Sequence, residues 1–378
     1  MKPPAPLIDL VIGTRPNIVK AGPLLAALRN VDWCRPRLVF LAQHTQDAMT
    51  TDTLEDVGIG VDEVVRVDLE ADGTGRRMGE MIDGYARLLA DAAPSLVMVF
   101  GDVDSTLAAA YAAKRMMIPV AHVEAGLRSG DMAMPEELNR RMVDSISDLL
   151  LTTMESANRN LLGEGRDGSD IHFTGNLMID ALRSTLERQD WRPDVEGLWN
   201  RHGLGQGRYA VATFHRPSNV DSRNHLEQVT RLLAAASEHL PVVFPVHPRS
   251  RAALERHRFN VHGDQVIALP PLRYSSFMGL LSGARLVLTD SGGIQEETSV
   301  LGVPCLTFRN NTERPETVTM GTNRLASPAD ADREIRRILA SPMPAESRIP
   351  LWDGNAAGRI AGVVRRWLQS SDAARGRG

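Results

Sequence analysis

The chain of 378 residues has only two cysteines, Cys34 and Cys305, and neither stands in a CxxC pair or beside a histidine cluster. That excludes a disulfide framework and a zinc site of ordinary spacing, so both thiols read as small buried apolar residues. Aromatic residues are scarce, at 4%. No uninterrupted run of about 18 apolar residues occurs, so nothing in the sequence reads as a membrane span. The opening stretch MKPPAPLIDLVIG has one lysine followed by prolines and lacks the long apolar core of a secretory signal, which makes the cytoplasm the expected location. Charge of one sign is missing too. With 43 Lys and Arg against 47 Asp and Glu the net charge is −4, whereas a nucleic-acid binder carries a basic excess. Neither nucleic acid nor membrane is an expected partner.

What is present is a globular composition, 43% hydrophobic and 24% charged. The length is more than twice a common domain of roughly 100–150 residues, which implies two domains and makes a cleft between them the natural ligand site. Short apolar runs recur: LIDLVIG at 7–13, RLVFLA at 37–42, SLVMVFG at 95–101, IPVAHV at 118–123 and DLLLTT at 148–153. Between them lie stretches such as IVKAGPLLAALR and EMIDGYARLLADA, whose apolar residues recur every three or four positions. Buried parallel strands alternating with covering helices give a doubly wound α/β sheet. After Gly175 comes a linker region reaching to about 207, and the pattern restarts with YAVATF, PVVFPV, QVIAL, RLVLTD and VPCLTF. The expected organisation is therefore an N-terminal Rossmann-like domain at 1–175, a second at 176–353 and a C-terminal helix and tail at 354–378 that sequence alone does not place.

Ligands of such sheets bind beyond the carboxyl ends of the strands, so chemistry is sought there. RLVLTD runs into Ser291, Gly292 and Gly293 and then a helix. Glycines let backbone approach a phosphate and the helix end offers free N–H groups, which suits a pyrophosphate; the bland reading is a tight turn. Glu297, one turn on, is placed to accept from ribose hydroxyls or simply to support the helix. At the first strand's end Gly13-Thr14-Arg15-Pro16-Asn17 opens a helix, with Lys20 one turn along; both cations either reach toward phosphate or are solvated. Three carboxylates, Asp102, Glu124 and Glu136, are read at successive strand ends, where acids move protons or pair with Arg128, Arg140 or Arg141. For any one acid the ion pair is the simpler reading, and three are harder to dismiss. His215 in TFHRP and His247 in FPVHP follow strands of the second half, and Arg314 and Glu316 flank a proline in TERPETV.

In their joint order these strings resemble the non-hydrolysing UDP-N-acetylglucosamine 2-epimerases. The likeness runs through GTRPN, QHTQDAM, GDVDST, HVEAGLRSGD, PEELNRR, TGN, FHRPSNV, VHP, LTDSGGIQEE, LGVPCLTFR and TERPETV, over about residues 9–325. The resemblance implies a glycosyltransferase-B type fold, two Rossmann-like domains with UDP in the cleft between them, and a homodimer. It implies that Asp102, Glu124, Glu136 and His215 form the catalytic group with Arg140 in support. Arg15, Lys20, His215, Phe277, Ser291, Gly292, Gly293, Glu297 and Arg314 are then expected at the nucleotide or its phosphates. Gln43, His44, Gln46, Arg76 and His247 are compatible with a second, allosteric UDP-sugar site. The implied reaction is reversible epimerisation of UDP-GlcNAc to UDP-ManNAc by elimination of UDP to a 2-acetamidoglucal and re-addition, with no metal or nicotinamide cofactor. The alternatives are a 2-epimerase of a modified, 2,3-diacetamido UDP-hexosamine, a hydrolysing epimerase releasing free ManNAc and UDP, a glycosyltransferase of the same fold and a silent UDP-sugar-binding protein. The sequence departs from the family at His215-Arg216-Pro217-Ser218-Asn219, commonly H-R-R-x-E-N, at Asn17, where many members have glutamate, and at Asp104. The Gly130–Pro135 loop is also short.

Overall fold

A computed structural model describes residues 4–43, 48–70, 73–261 and 265–375. Chain contacts divide it into two units, Met1–Arg183 with Pro350–Gly378, and Ser184–Ile349. The first division falls inside the helix Leu177–Arg188 and not ahead of it at residue 175. That helix begins in the N-terminal unit, where the Asp180 carboxylate accepts the N–H groups of Ala356 (3.1 Å) and Ala357 (2.7 Å).

The N-terminal unit contains strands β1 (Leu7–Ile12), β2 (Arg35–Gln43), β3 (Val64–Leu69), β4 (Leu96–Phe100), β5 (Val120–Ala125), β6 (Leu149–Thr152) and β7 (Ile171–Phe173). They form one parallel sheet in the order β3-β2-β1-β4-β5-β6-β7. β4 and β5 are buried along their whole length because helices cover both faces, which is why they read as continuous apolar runs. One face packs Ile18, Leu24 and Leu28 of the helix Arg15–Arg29 together with Ile360, Val364 and Leu368 of the C-terminal helix Ala356–Arg375. Trp352 Nε1 donates to the Thr153 carbonyl at 2.8 Å and ties that last segment to the sheet.

The C-terminal unit contains β8 (Ala210–Thr213), β9 (Val242–Pro245), β10 (Val266–Leu269), β11 (Leu286–Thr289), β12 (Cys305–Thr307) and β13 (Asn323–Leu325), ordered β10-β9-β8-β11-β12-β13 and parallel throughout. The doubly wound expectation therefore holds in both units. Each sheet reverses its strand order once, between β1 and β4 and between β8 and β11. Such a switch point opens a crevice at the strand carboxyl ends. GTRPN and GDVDST follow β1 and β4; FHRPSN and DSGG follow β8 and β11. No described helix is long and apolar enough to cross a membrane, and Cys34 and Cys305 are buried.

Candidate functional site

At the switch point of the N-terminal unit, Gly13 ends the turn after β1. A Cβ there would lie 1.9 Å from Ser105 Oγ, so only glycine lets this turn pack against the GDVDST helix. Asn17, buried in the first turn of the helix, donates from Nδ2 to the Phe100 carbonyl at 3.0 Å and accepts from Thr14 Oγ1 at 2.9 Å. A glutamate at that position could not donate, so Asn17 is matched to the carbonyl at the end of β4. Lys20, one turn further, places its ammonium on Glu124 Oε2 and not in solvent. Gly101 lies beside this pair, where a Cβ would be in ordinary contact with Lys20 Nζ (3.4 Å) and Glu124 Oε2 (3.7 Å), and its φ of +66° is what calls for glycine. Arg15 stands half-buried at the start of the same helix.

Glu124 departs from the expected place. It lies within β5 and not beyond it, in left-handed backbone with φ +71°, where the pairing of β5 with β6 slips between Val123 and Ala125. A β-bulge turns a side chain off the sheet's regular alternation, and left-handed backbone at a non-glycine costs about 1–3 kcal/mol, so the neighbours must enforce it. Asp102 does follow a strand. Its Oδ2 accepts from Arg140 Nη2 at 2.5 Å, and Arg140 Nη1 also donates to Glu137 Oε2 at 2.9 Å. Burial alone would raise the Glu137 carboxyl; hydrogen bonds from Ser129 and the Arg140 guanidinium hold it below the ordinary carboxylate value. Asn139 donates to the Asp102 carbonyl (2.9 Å) and to Asp104 Oδ1 (3.1 Å), so the additional acid, Asp104, anchors the helix carrying Arg140. Glu136 stands half-buried on the first turn of the helix Pro135–Ile146 and not at a strand end.

In the C-terminal unit the organising residue is Asp290, which the sequence reading did not single out. Fully buried at the end of β11, it accepts the backbone N–H groups of His215 (3.0 Å) and Arg216 (2.9 Å) and the Asn219 side-chain amide (3.1 Å). His215 Nδ1 lies 3.3 Å from its other oxygen, which leaves Nε2 pointing away from the carboxylate. The only sequence signal was an acid closing a buried strand just before Ser-Gly-Gly. His247 caps the helix Pro248–His257 through Nδ1 and lays its ring 5.1 Å from that of His215. Pro217 starts the short helix Pro217–Val220, and Asn219 bridges Asp290 and the Phe308 carbonyl (3.2 Å), so the departure from H-R-R-x-E-N remains a built turn.

Ser291 precedes the helix Gly292–Leu301 without spending its hydroxyl on the cap, and the first-turn amides stay available. Gly292 is packed too closely for a side chain: a Cβ would sit 2.7 Å from Arg314 Nη1. Arg314 is buried with Glu313 (2.5 Å) and Glu296 (2.7 Å), and Arg309 reaches Glu313 at 2.7 Å. Arg216 lies 3.7 Å from Glu313, its guanidinium held below its ordinary value by burial and by Arg309. Arg216, Arg309 and Arg314 face Glu313, Glu296 and Asp290, so the cluster is charge-balanced, and what favours an anion here is the helix N-terminus. Glu297, wholly buried, accepts from Tyr274 Oη at 3.2 Å; burial, then the charge of Glu296, push its carboxyl up to about 8. Phe277 is half-buried on the helix Tyr274–Ser282.

Arg76 is exposed beside Glu70, Glu80 and Asp83. Of the other residues read for a second site, His44, Gln46 and the Gln43 side chain lie outside the described residues.

A family model described as UDP-N-acetylglucosamine 2-epimerase matches residues 26–365. The UDP-N-acetylglucosamine 2-epimerase of Methanocaldococcus jannaschii is 35% identical over 327 residues, covering 84% of this chain and 87% of that protein. The chain belongs to the UDP-N-acetylglucosamine 2-epimerase family. The crystal structure of the M. jannaschii UDP-GlcNAc 2-epimerase in complex with UDP-GlcNAc and UDP superposes with a TM-score of 0.87 at 30% identity, covering 95% of this chain and 99% of that one. Another relative is the Pseudomonas aeruginosa UDP-2,3-diacetamido-2,3-dideoxy-D-glucuronate 2-epimerase, 34% identical over 322 residues, covering 84% of this chain and 88% of that protein. As a member of this epimerase family, the protein carries two Rossmann-like units, each built on a parallel sheet.

Proposed function

We propose that the protein interconverts UDP-GlcNAc and UDP-ManNAc by 2-epimerisation. The hydrogen on carbon 2 of the hexosamine has no adjacent carbonyl to acidify it, so direct deprotonation is slow; elimination avoids that barrier. A base takes the carbon-2 proton while the bond from carbon 1 to the UDP oxygen breaks, and a carbon 1–carbon 2 double bond forms. A proton is then delivered to the opposite face of carbon 2 and the UDP oxygen rebinds carbon 1. Two-sided proton transfer needs more than one acid, and Asp102, Glu124 and Glu136 are the group assigned to it. The observation that carries the reading is Glu124 itself: a lysine-paired carboxylate held in strained backbone beside the glycine that precedes Asp102. Strain of this kind is kept where position matters to function.

In the same proposal His215, the Ser291–Gly293 helix start and the guanidiniums of Arg216, Arg309 and Arg314 hold the diphosphate and stabilise it as it departs, which is electrostatic catalysis. Glu297 takes the ribose hydroxyls, Phe277 the base, and Arg15 the nucleotide. A homodimer in the cytoplasm completes the reading. The test is turnover of UDP-GlcNAc by the purified protein, followed by the anomeric signals of the product UDP-sugar. Near-equal identity to the diacetamido-sugar epimerase favours one second reading, the same reaction on a 2,3-diacetamido UDP-hexosamine; side-by-side assays of the two substrates separate them.

A further inference from the structure

His122 and Glu124 are two residues apart on β5, and between them the chain enters the bulge. The His122 ring is fully buried, with Nδ1 2.6 Å from Asp144 Oδ1 and Nε2 2.7 Å from the Gly101 carbonyl. The other Asp144 oxygen accepts the Gly126 N–H at 3.1 Å and meets Arg128 Nη1 at 2.8 Å. Burial alone would raise the Asp144 carboxyl; His122 and Arg128 overcome it and hold it below the ordinary carboxylate value. One buried carboxylate thus grips the residues two before and two after Glu124, whose φ is +71°. The same imidazole fixes the carbonyl of Gly101, the peptide that presents Asp102.

The grip also connects outward to Asp102. Arg128 pairs with Glu164 at 2.6 Å, and Arg141 links Glu164 (3.0 Å) to Glu137 (3.3 Å). Glu137 holds Arg140, which holds Asp102. From Asp144 onward charges alternate along this path, which starts at the carbonyl before Asp102 and ends at the Asp102 carboxylate. At the buried ends of the path, Asp144 and Glu137, removing one partner leaves a large penalty, which favours one arrangement over its neighbours; the Arg141–Glu164 link between them is part-exposed and contributes little.

We propose that the Asp144–His122 pair is a positioning device for the proton-transfer acids, holding the left-handed backbone of Glu124 and the Gly101–Asp102 turn in one fixed relation. The inference rests on the epimerase reading for its kinetic consequence and on backbone geometry for its structural one.

The test compares full-length D144N, H122N and H122Q with D9N. Asp9 is an equally buried control: it accepts from Arg37 (2.7 Å) and Tyr85 (2.8 Å) on β1 and touches neither acid nor its backbone. D144N and H122N are expected to lower kcat for UDP-GlcNAc by about 30-fold or more with KM changed less than about threefold, since a misplacement of about 1 Å costs on the order of 100-fold. H122Q, whose amide can still reach the Gly101 carbonyl, should recover part of the loss and serves if D144N fails to fold. D9N should lower the melting temperature while keeping kcat. Wild-type kcat in folded H122N and H122Q, or a loss no larger than that of D9N, would overturn the proposal. If the wild-type protein turns over no UDP-GlcNAc, the epimerase reading fails separately, and the crystal structures of the variants decide: Glu124 leaving positive φ supports the pair's role, and Glu124 keeping it refutes that role.

Discussion

At the scale of single residues, the paired acids and their partners make the sharpest statements. Glu124→Gln keeps the size of the side chain and removes its proton-accepting charge, so turnover should fall by about 100-fold or more while UDP affinity, measured by calorimetry, stays within a few-fold. Retention of more than a tenth of wild-type activity would take Glu124 out of the catalytic group. Asp290→Asn exchanges a group that accepts from three N–H donors for one with half the acceptor capacity. The loop carrying His215 should then loosen, and both kcat and UDP affinity should drop, by about tenfold each in steady-state kinetics and calorimetry. Glu297 gives a pH prediction. Its folded value of about 8 lies above the ordinary 4.5, so between those values the unfolded chain has released the proton while the folded chain retains it. Stability therefore falls as pH rises from about 4.5 to about 8 and levels off above, by an amount on the order of a few kcal/mol. Glu297→Gln should remove that slope in urea unfolding followed at pH 5 and pH 8; parallel pH profiles for the two proteins would contradict the buried, protonated carboxyl.

At the scale of elements, ten of the thirteen strands among the described residues were legible as apolar runs, and in the three that were not, polar residues interrupt the apolar ones. β3, β7 and β13 each lie at the edge of a sheet. β3 alternates buried and exposed positions through Arg66 and Asp68, β7 is half-exposed throughout, and β13 buries only Asn323. An edge strand covered on one side tolerates polar residues that break the hydrophobic signal, whereas β10, the fourth edge strand, keeps its apolar run VIAL and was legible. The site was legible where chemistry coincides with a strand end, as at Asp102, His215 and Ser291. It was less so where backbone geometry decides: nothing in HVEAG announces that Glu124 sits in a bulge or that Asp144, twenty residues on, grips both sides of it. Gly101→Ala tests that element directly. The substitution puts a Cβ against the Lys20–Glu124 pair at a φ of +66°, and kcat should fall at least about tenfold; an unchanged kcat would show that the turn tolerates relaxation.

At the scale of the whole molecule, the chain returns after its second unit to complete the core of its first. Removal of the residues after Gly354 takes Ile360, Val364 and Leu368 from the N-terminal sheet's packing, and each such side chain contributes about 1.5–3 kcal/mol. Amides of β1 and β4 should then lose hydrogen-exchange protection while those of β8 and β11 retain it; retained protection in β1 and β4 would mean that the helix is dispensable. The central claim is chemical, and NMR of the intact protein with UDP-GlcNAc in deuterated water addresses it most directly. Epimerisation by elimination predicts deuterium at carbon 2 of both UDP-GlcNAc and newly formed UDP-ManNAc. UDP-GlcNAc that stays fully protonated at carbon 2, with no second UDP-sugar formed while UDP still binds, would contradict it.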